Sequence, residues 1–167
     1  MNFTYAGIGS RETPLDVLQS MTEIASRLDR LGYTLFSGGA DGADEAFEIG
    51  ATKKVIFLPW DGFSNKRVDG KNYLVPPYNE DLVSRFHPAA DKLKQGALKL
   101  MSRNSYQVLG PDLNSPVDFV ICWTKDGKAS GGTGQAIRIA ESLKIPVFNL
   151  KRVDDLHLLG KYIVNTI

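Results

Sequence analysis

The sequence predicts an α/β fold in which a mainly parallel sheet of about five or more strands carries helices on both faces. Two features of the pattern predict it. Short apolar segments typical of strands alternate with longer segments whose apolar residues recur every three or four positions, and glycine-rich turns follow three of the strand segments. Length and composition are those of a globular protein, so we expect one domain over residues 1–167. Ligands of such a Rossmann-like arrangement bind at the carboxyl ends of the strands.

Five segments have the composition of strands. They cover residues 3–8, 33–36, 55–58, 119–123 and 147–150. The first helix follows the first strand, and Thr13 is predicted as its N-cap, with Pro14 as its first helical residue. Asp16 is predicted to complete a capping box with Thr13, and Gly32 is placed to end the helix.

Helical periodicity returns after Asp44, on both sides of a break near Pro88, after Gly134 and in residues 156–163. Residues 59–79 show neither the strand period nor the helix period, and they are rich in aromatic and basic side chains. A loop of this length in a compact domain is usually functional or mobile. We therefore predict a long loop in this segment.

Composition argues against several classes of function. A formal net charge of +1 provides no global basic field for recruiting nucleic acid, so any basic patch must be local. Cys122 is the one cysteine and lies in an apolar run, which predicts a buried side chain rather than a disulfide, a zinc ligand or a nucleophile. No apolar run reaches the length of a membrane span and no segment has the pattern of a signal peptide. We expect a cytoplasmic protein without a metal or a cofactor.

Three glycine-rich turns, named here the first, second and third turn, follow strands of the predicted sheet. They are Gly7–Arg11, Ser37–Gly42 and Ser130–Gly134. In a parallel sheet with right-handed crossovers, all three lie along one edge. Glycine lets a ligand approach the backbone, and each turn presents N–H groups at the start of a helix, which favours phosphate. We therefore predict that amides from the three turns surround a common anion.

Side chains in and near these turns extend the predicted site. The residues expected to bind the ligand are Gly9, Ser10, Arg11, Ser37, Gly38, Gly39, Ala40, Asp44, Trp60, Arg103, Asn104, Gly131, Gly132, Thr133, Gly134 and Gln135. Arg11 can donate two hydrogen bonds to phosphate, and Arg103, late on a helix, can reach the same edge. Trp60 and Phe63 are predicted to stack a base, with a hydrophobic plug that holds their loop down as the alternative. For Asp44, a contact to ribose or a role in fixing the turn stays open beside an acid that only complements the helix dipole.

The motifs in this order resemble the DprA/Smf-type Rossmann-like proteins, within the superfamily that also contains the LOG "lysine decarboxylase-like" phosphoribohydrolases. The segments that carry the resemblance are Gly9–Arg11, Ser37–Asp44, Arg103–Asn104, Ser130–Ala136 and Ile145–Phe148. The compact form also resembles phage-encoded members of this group. The resemblance implies a parallel sheet, binding of a nucleotide or a nucleic-acid backbone, and a homodimer. The LOG motif P-G-G-x-G-T-x-x-E supplies a catalytic glutamate, whereas Gln135–Arg138 holds no carboxylate.

Three functions stay open at this point. The first is a binder of a phosphate-bearing nucleotide or nucleotide-derived small molecule, acting as a sensor, sponge or carrier. The alternative is a nucleoside 5′-monophosphate N-glycosidase, in which Asp44, Glu12 or Glu141 supplies the carboxylate. Arg103 or Arg11 would then hold the phosphate. The third is a recombination mediator that binds single-stranded DNA and loses affinity steeply as salt rises.

Overall fold

The computed structural model describes residues 2–166, which form an α/β fold around a six-stranded sheet. The strands are β1 (Thr4–Gly7), β2 (Thr34–Ser37), β3 (Lys54–Phe57), β4 (Tyr73–Leu74), β5 (Phe119–Cys122) and β6 (Val147–Asn149). They are ordered β4-β3-β2-β1-β5-β6, and every neighbouring pair is parallel. The predicted Rossmann-like fold with a parallel sheet is confirmed.

Helices cover both faces of the sheet. They are α1 (Leu15–Arg30), α2 (Ala43–Gly50), α3 (Glu80–Phe86), α4 (Gln95–Leu109), α5 (Gly134–Ser142) and α6 (Val153–Thr166), with short 3-10 helices at Phe63–Asn65 and Ala90–Lys92. Successive strand residues point to opposite faces, so Tyr5 packs with α1, α2 and α6 while Ala6 packs with α4 and α5. Among the helices of residues 2–166, none has the length and apolar character needed to cross a membrane.

The order of the strands reverses between β1 and β5. From β1 the chain proceeds outward through β2, β3 and β4, and it then returns to the other side of β1 to form β5 and β6. The helices that follow β1 and β5 consequently lie on opposite faces of the sheet, as the two core clusters show. Their separation opens a crevice at the carboxyl ends of these two strands, the usual position of a ligand in this class of fold.

The segment 59–79, predicted as a loop without regular structure, contains β4. Tyr73–Leu74 extends the sheet beside β3, where Ile56 donates a backbone hydrogen bond to Asn72 over 2.6 Å and Leu58 donates one to Leu74 over 2.7 Å. One oxygen of Asp69 accepts the N–H groups of residues 71–73 and holds the entry to the strand. Two residues are too few to show a period of two, so pairing with β3 defines this strand and local pattern does not.

The predicted cap of α1 is wrong. The helix begins at Leu15, Pro14 occupies the N-cap position, and no side chain caps it. The hydroxyl of Thr13 instead donates to the carbonyl of Ser10 over 2.6 Å, and Thr13 is only 6% exposed. Thr13 therefore closes the first turn, because burial brings its hydroxyl to a carbonyl three residues earlier rather than to the helix amides.

Candidate functional site

A cavity of about 570 Å³ opens in the crevice between β1 and β5, within the range typical of small-ligand sites. The predicted ligand-binding residues that line it are Gly9, Ser10, Arg11, Ala40, Asp44, Arg103, Asn104, Gly131, Gly132 and Thr133. The predicted ligand-binding residues outside the lining are Ser37, Gly38, Gly39, Trp60, Gly134 and Gln135. The predicted catalytic residue Glu141 does not line the cavity either. All three glycine turns therefore reach one cavity, although not with all their residues.

The second turn packs against the protein itself. A Cβ on Gly38 would overlap the Arg103 guanidinium, and a Cβ on Gly39, at φ +72°, would lie 2.8 Å from Leu58. The hydroxyl of Ser37 donates to the carbonyl of Gly7 over 2.5 Å and is fully buried. These residues were predicted to touch the ligand, but the structure places them behind the wall of the cavity. Their small size serves close packing instead.

The first turn has little free backbone to offer. The N–H groups of Ile8 and Ser10 donate to β5 and to the residue that follows it, over 3.1 and 3.2 Å, and so continue the sheet. The N–H of Gly9 points to the carboxylate of Asp44. The group that this turn presents to the cavity is the exposed side chain of Arg11, which forms no ion pair within residues 2–166.

The third turn does present open backbone. Gly131 has φ +62° and open space where a Cβ would lie, and a Cβ on Gly132 would meet only a methyl group of Met101 at 3.7 Å. Within the described chain, the N–H groups of Gly131, Gly132 and Thr133 donate no hydrogen bond. They precede α5, so the positive end of its dipole points into the same space. Of the three turns, this one has the features predicted for all of them.

Asn104 fixes the third turn in place. Its side-chain amide donates to the carbonyl of Gly132 over 2.8 Å, and Asn104 is itself only 6% exposed. This hydrogen bond ties the third turn to α4, whose residues line the same cavity. Asn104, predicted to contact the ligand, therefore has a second role, because it holds the backbone of the third turn in place.

Arg103 is a buried link between α4 and the strand ends. One terminal nitrogen of its guanidinium donates to the carbonyls of Gly38 and Phe57, and Nε donates to Leu100 over 3.4 Å. Burial lowers the pKa of Arg103 to about 10, although the charge of Asp44 acts in the opposite direction, so the side chain stays charged at neutral pH. Much of its donor capacity, predicted to grip phosphate, is thus occupied by backbone carbonyls.

Asp44 connects the first and second turns. It is 4% exposed and borders the cavity, and one carboxylate oxygen accepts the N–H of Ala40 over 3.2 Å. Burial raises the pKa of Asp44 to about 6, against the opposing effects of Arg103 and of the N–H groups of Ala40 and Gly9. Of the interpretations left open, this geometry matches the residue that fixes the turn.

Trp60 lies outside the cavity and is 39% exposed. Its ring meets the ring of Phe63 edge to face, with the centroids 5.4 Å apart. Phe63 is 6% exposed, and the guanidinium carbons of Arg11 and Arg103 lie 5.9 and 5.3 Å from its centroid. The arrangement matches the alternative in which the two rings hold their loop down, and it brings Phe63 to the edge of the site.

The first two residues of α5, Gly134 and Gln135, pack against the protein and do not face the cavity. A Cβ on Gly134 would lie 2.9 Å from the backbone of Ala129, and the fully buried Gln135 donates to the carbonyl of Leu82 over 3.2 Å. Glu141 is exposed in the last turn of the helix, about 10 Å along its axis from Gly134. The predicted catalytic role of Glu141 is incompatible with this position, because its carboxylate lies at the wrong end of α5.

The cavity carries a small net positive charge. The cations among its lining residues are Arg11, Arg103 and Lys125, and the acids are Glu12 and Asp44, so three positive charges face two negative ones when all are ionised. Lys125 and Glu12 form an exposed pair at 3.8 Å, which contributes little to stability. Sequence reasoning missed Lys125, although its position three residues after β5 places it at the carboxyl edge.

The cysteine and histidine side chains considered as reactive groups do not line the cavity. Cys122 is buried in β5, and burial raises the pKa of its thiol to about 12, so it is not a thiolate at neutral pH. His87 accepts the N–H of Ala89 through Nδ1, which occupies that nitrogen. In residues 2–166, no three or more His, Cys, Asp or Glu side chains group together as ligands for a metal ion.

Comparison with known proteins bears on the fold. Neither a protein-family model nor a curated protein matches the chain. Among solved structures, it is similar to DNA processing protein A from Helicobacter pylori, for which a single-stranded DNA binding mode has been described, with 20% identity and a TM-score of 0.58. This chain has the fold of DNA processing protein A. The match covers 88% of this chain and 64% of the other, so the chain spans just under two thirds of that protein.

Proposed function

We propose that the cavity binds the phosphate of a nucleotide unit. The observation that carries the proposal is the meeting of two unused donor groups at one cavity: the exposed guanidinium of Arg11 and the unbonded N–H groups of Gly131–Thr133. A guanidinium can donate two parallel hydrogen bonds to phosphate, and a glycine-rich helix start supplies amides and a favourable dipole. The remaining volume accommodates the attached sugar and base.

Single-stranded DNA is the first occupant that we propose. A phosphate within a nucleic-acid chain carries one negative charge, which matches the single net positive charge of the cavity lining. The likeness of fold to a protein with a described single-stranded DNA binding mode supports the same occupant. The exposed positions of Arg11 and Lys125 at the rim suit a ligand whose backbone continues beyond the cavity.

A free nucleotide or a nucleotide-derived small molecule is the second candidate. The cavity volume favours it, because about 570 Å³ is enough to surround a compact ligand. The proposal does not extend to N-glycosidic hydrolysis. Glu141 lies at the far end of α5, and the carboxylate of Asp44 is engaged by backbone N–H groups of both turns. Glu12 lines the cavity, but its side chain is 69% exposed to solvent and pairs with Lys125 over 3.8 Å.

Fluorescence anisotropy with labelled oligo(dT), together with calorimetric titration of thymidine 5′-monophosphate as a second probe, tests the proposal and separates its two occupants. Arg11→Gln should weaken oligo(dT) binding about tenfold to a hundredfold, since it removes a charge-assisted hydrogen-bonding group. It should also reduce the slope of log affinity against log salt by about 0.7, the effect of one lost phosphate contact on a single strand. Arg30→Gln is the matched control, because Arg30 is exposed at the other end of α1.

A second pair of variants tests the third turn. Gly132→Asp adds a carboxylate in open space, and Gly132→Asn adds a neutral group of the same shape. We expect Gly132→Asp to abolish binding and Gly132→Asn to weaken it much less, because repulsion between like charges acts only in the first. The proposal fails if neither probe binds to the unmodified protein at low salt, or if Arg11→Gln binds as well as Arg30→Gln does. Tight binding of the mononucleotide without the oligonucleotide would favour the second candidate.

A further inference from the structure

Phe63 contacts two arginines that come from different parts of the chain. It begins the 3-10 helix Phe63–Asn65, within the segment that the sequence left as a loop, and it is 6% exposed. The guanidinium carbon of Arg11, from the first turn, lies 5.9 Å from its ring centroid, and that of Arg103, from α4, lies 5.3 Å away. Both distances are within the range of cation–π attraction.

The two arginines differ in the number of other interactions that fix their side chains. Arg103 is buried and donates hydrogen bonds to three backbone carbonyls. Arg11 is exposed, and within residues 2–166 its side chain forms no ion pair or hydrogen bond, while its guanidinium lies over the ring of Phe63. The ring therefore has a larger effect on the position of Arg11 than on that of Arg103.

An aromatic ring is better suited than a carboxylate to hold the Arg11 guanidinium in place for an anion. An Asp or Glu beside Arg11 would occupy its N–H groups and cancel its charge. The face of an aromatic ring attracts the cation through the ring quadrupole and consumes none of the five N–H donors. The guanidinium then keeps its charge and its hydrogen-bonding capacity for an anion while losing part of its rotamer freedom in advance.

The backbone around Phe63 is held in an unusual shape. Gly62, Ser64 and Asn65 all have positive φ, at 89°, 50° and 63°. Residues without Gly's freedom adopt this region only where surrounding contacts maintain it. Here Gly62 and Lys66 are joined by a 2.8 Å backbone hydrogen bond, and the ring of Trp60 packs edge-on against Phe63 from outside. The segment is thus fastened in a way that presents one ring to the edge of the cavity.

We infer that Phe63 is a positioning residue for phosphate binding, which holds the Arg11 guanidinium at the rim of the cavity through the face of its ring. The inference rests on the proposed function, because it assigns to Arg11 the task of meeting the phosphate. It assigns to the segment around Phe63 a part in the site that the cavity lining itself does not include.

Fluorinated phenylalanines placed at position 63 provide the test. Adding one, two and three fluorines keeps the ring nearly the same size but progressively weakens the negative potential of its face. The dissociation constant for labelled oligo(dT) should rise stepwise along the series, by about twofold to fivefold in total, as expected for an exposed cation–π contact. Thermal unfolding midpoints of the same proteins report how far the series also weakens the contact between the ring and the buried Arg103.

The same series in an Arg11→Gln background separates Arg11 from Arg103. If the ring acts through Arg11, fluorination should have no effect on binding once Arg11 is replaced. A series that is flat in the unmodified background, or that is equally steep in the Arg11→Gln background, overturns the inference. Failure of the unmodified protein to bind the probe at all would instead contradict the proposed function. Phe63→Leu, which keeps an apolar side chain without a ring, should bind at least as weakly as the trifluorinated protein does.

Discussion

Asp44 should make the protein less stable as pH rises through the acidic range. The folded state raises the pKa of Asp44 from 3.8 to about 6, because burial disfavours the charged form more than Arg103 and the N–H donors favour it. The folded chain therefore holds this proton more tightly than the unfolded chain does. Stability should fall by about 1.4 kcal/mol per pH unit between pH 4 and 6, for a total of about 3 kcal/mol, and then level off.

Urea unfolding of the wild-type protein and of Asp44→Asn, from pH 4 to pH 8, measures this effect directly. Asn has nearly the same shape and can still accept the N–H of Ala40, but it does not titrate. Other ionisable groups are common to both proteins, so they cancel in the difference between the two unfolding free energies. That difference should move by about 3 kcal/mol in favour of Asp44→Asn as pH rises from 4 to 7.

Glu12→Gln is the control for this experiment. Glu12 borders the same cavity, but its side chain is 69% exposed and its pair with Lys125 is a surface one, so its replacement should change the unfolding free energy by less than about 1 kcal/mol. If the wild-type protein instead gains stability relative to Asp44→Asn as pH rises, the reasoning is refuted. Attraction to Arg103 would then outweigh the cost of burying the carboxylate.

Three further substitutions test the packing that forms the site. Arg103→Lys keeps the charge but loses the hydrogen bonds to carbonyls of the strand ends, and it should cost about 2–4 kcal/mol in urea unfolding; a loss below about 1 kcal/mol would contradict the linking role. Gly42→Ala, at φ +85° and with backbone 2.8 Å from the new Cβ, should destabilise by about 2–4 kcal/mol, whereas Gly70→Ala, at φ +71° with open space, should cost only about 1 kcal/mol. Equal losses would show that close packing at Gly42 is unimportant. Asn104→Leu should cost about 1–2 kcal/mol and speed hydrogen exchange at Gly134, whose N–H donates to Ser130 within the third turn, as followed by NMR; unchanged exchange would mean that the third turn does not depend on its link to α4.

Local pattern accounts for most of the successful predictions about the fold. The period of the apolar residues and the alternation of strands and helices are properties of neighbouring residues, so five of the six strands were located from sequence. The chirality of parallel crossovers then places the three turns at one edge, which predicted the shared cavity. The misses have non-local causes. β4 exists because it pairs with β3, and Thr13 turns toward the carbonyl of Ser10 because of burial.

The second and third turns show most clearly what the sequence determined and what it left to the tertiary structure. Their sequences, Ser37-Gly38-Gly39-Ala40 and Ser130-Gly131-Gly132-Thr133, are nearly identical, and each turn follows a strand and precedes a helix. The sequence determined that both would be tight glycine turns at the ligand edge. The tertiary structure alone decided that Arg103 and Gln107 of α4 pack against the second turn, while open space faces the third turn. Whether a backbone N–H is free for a ligand depends on what the rest of the chain brings against it, and that information is not present in four residues.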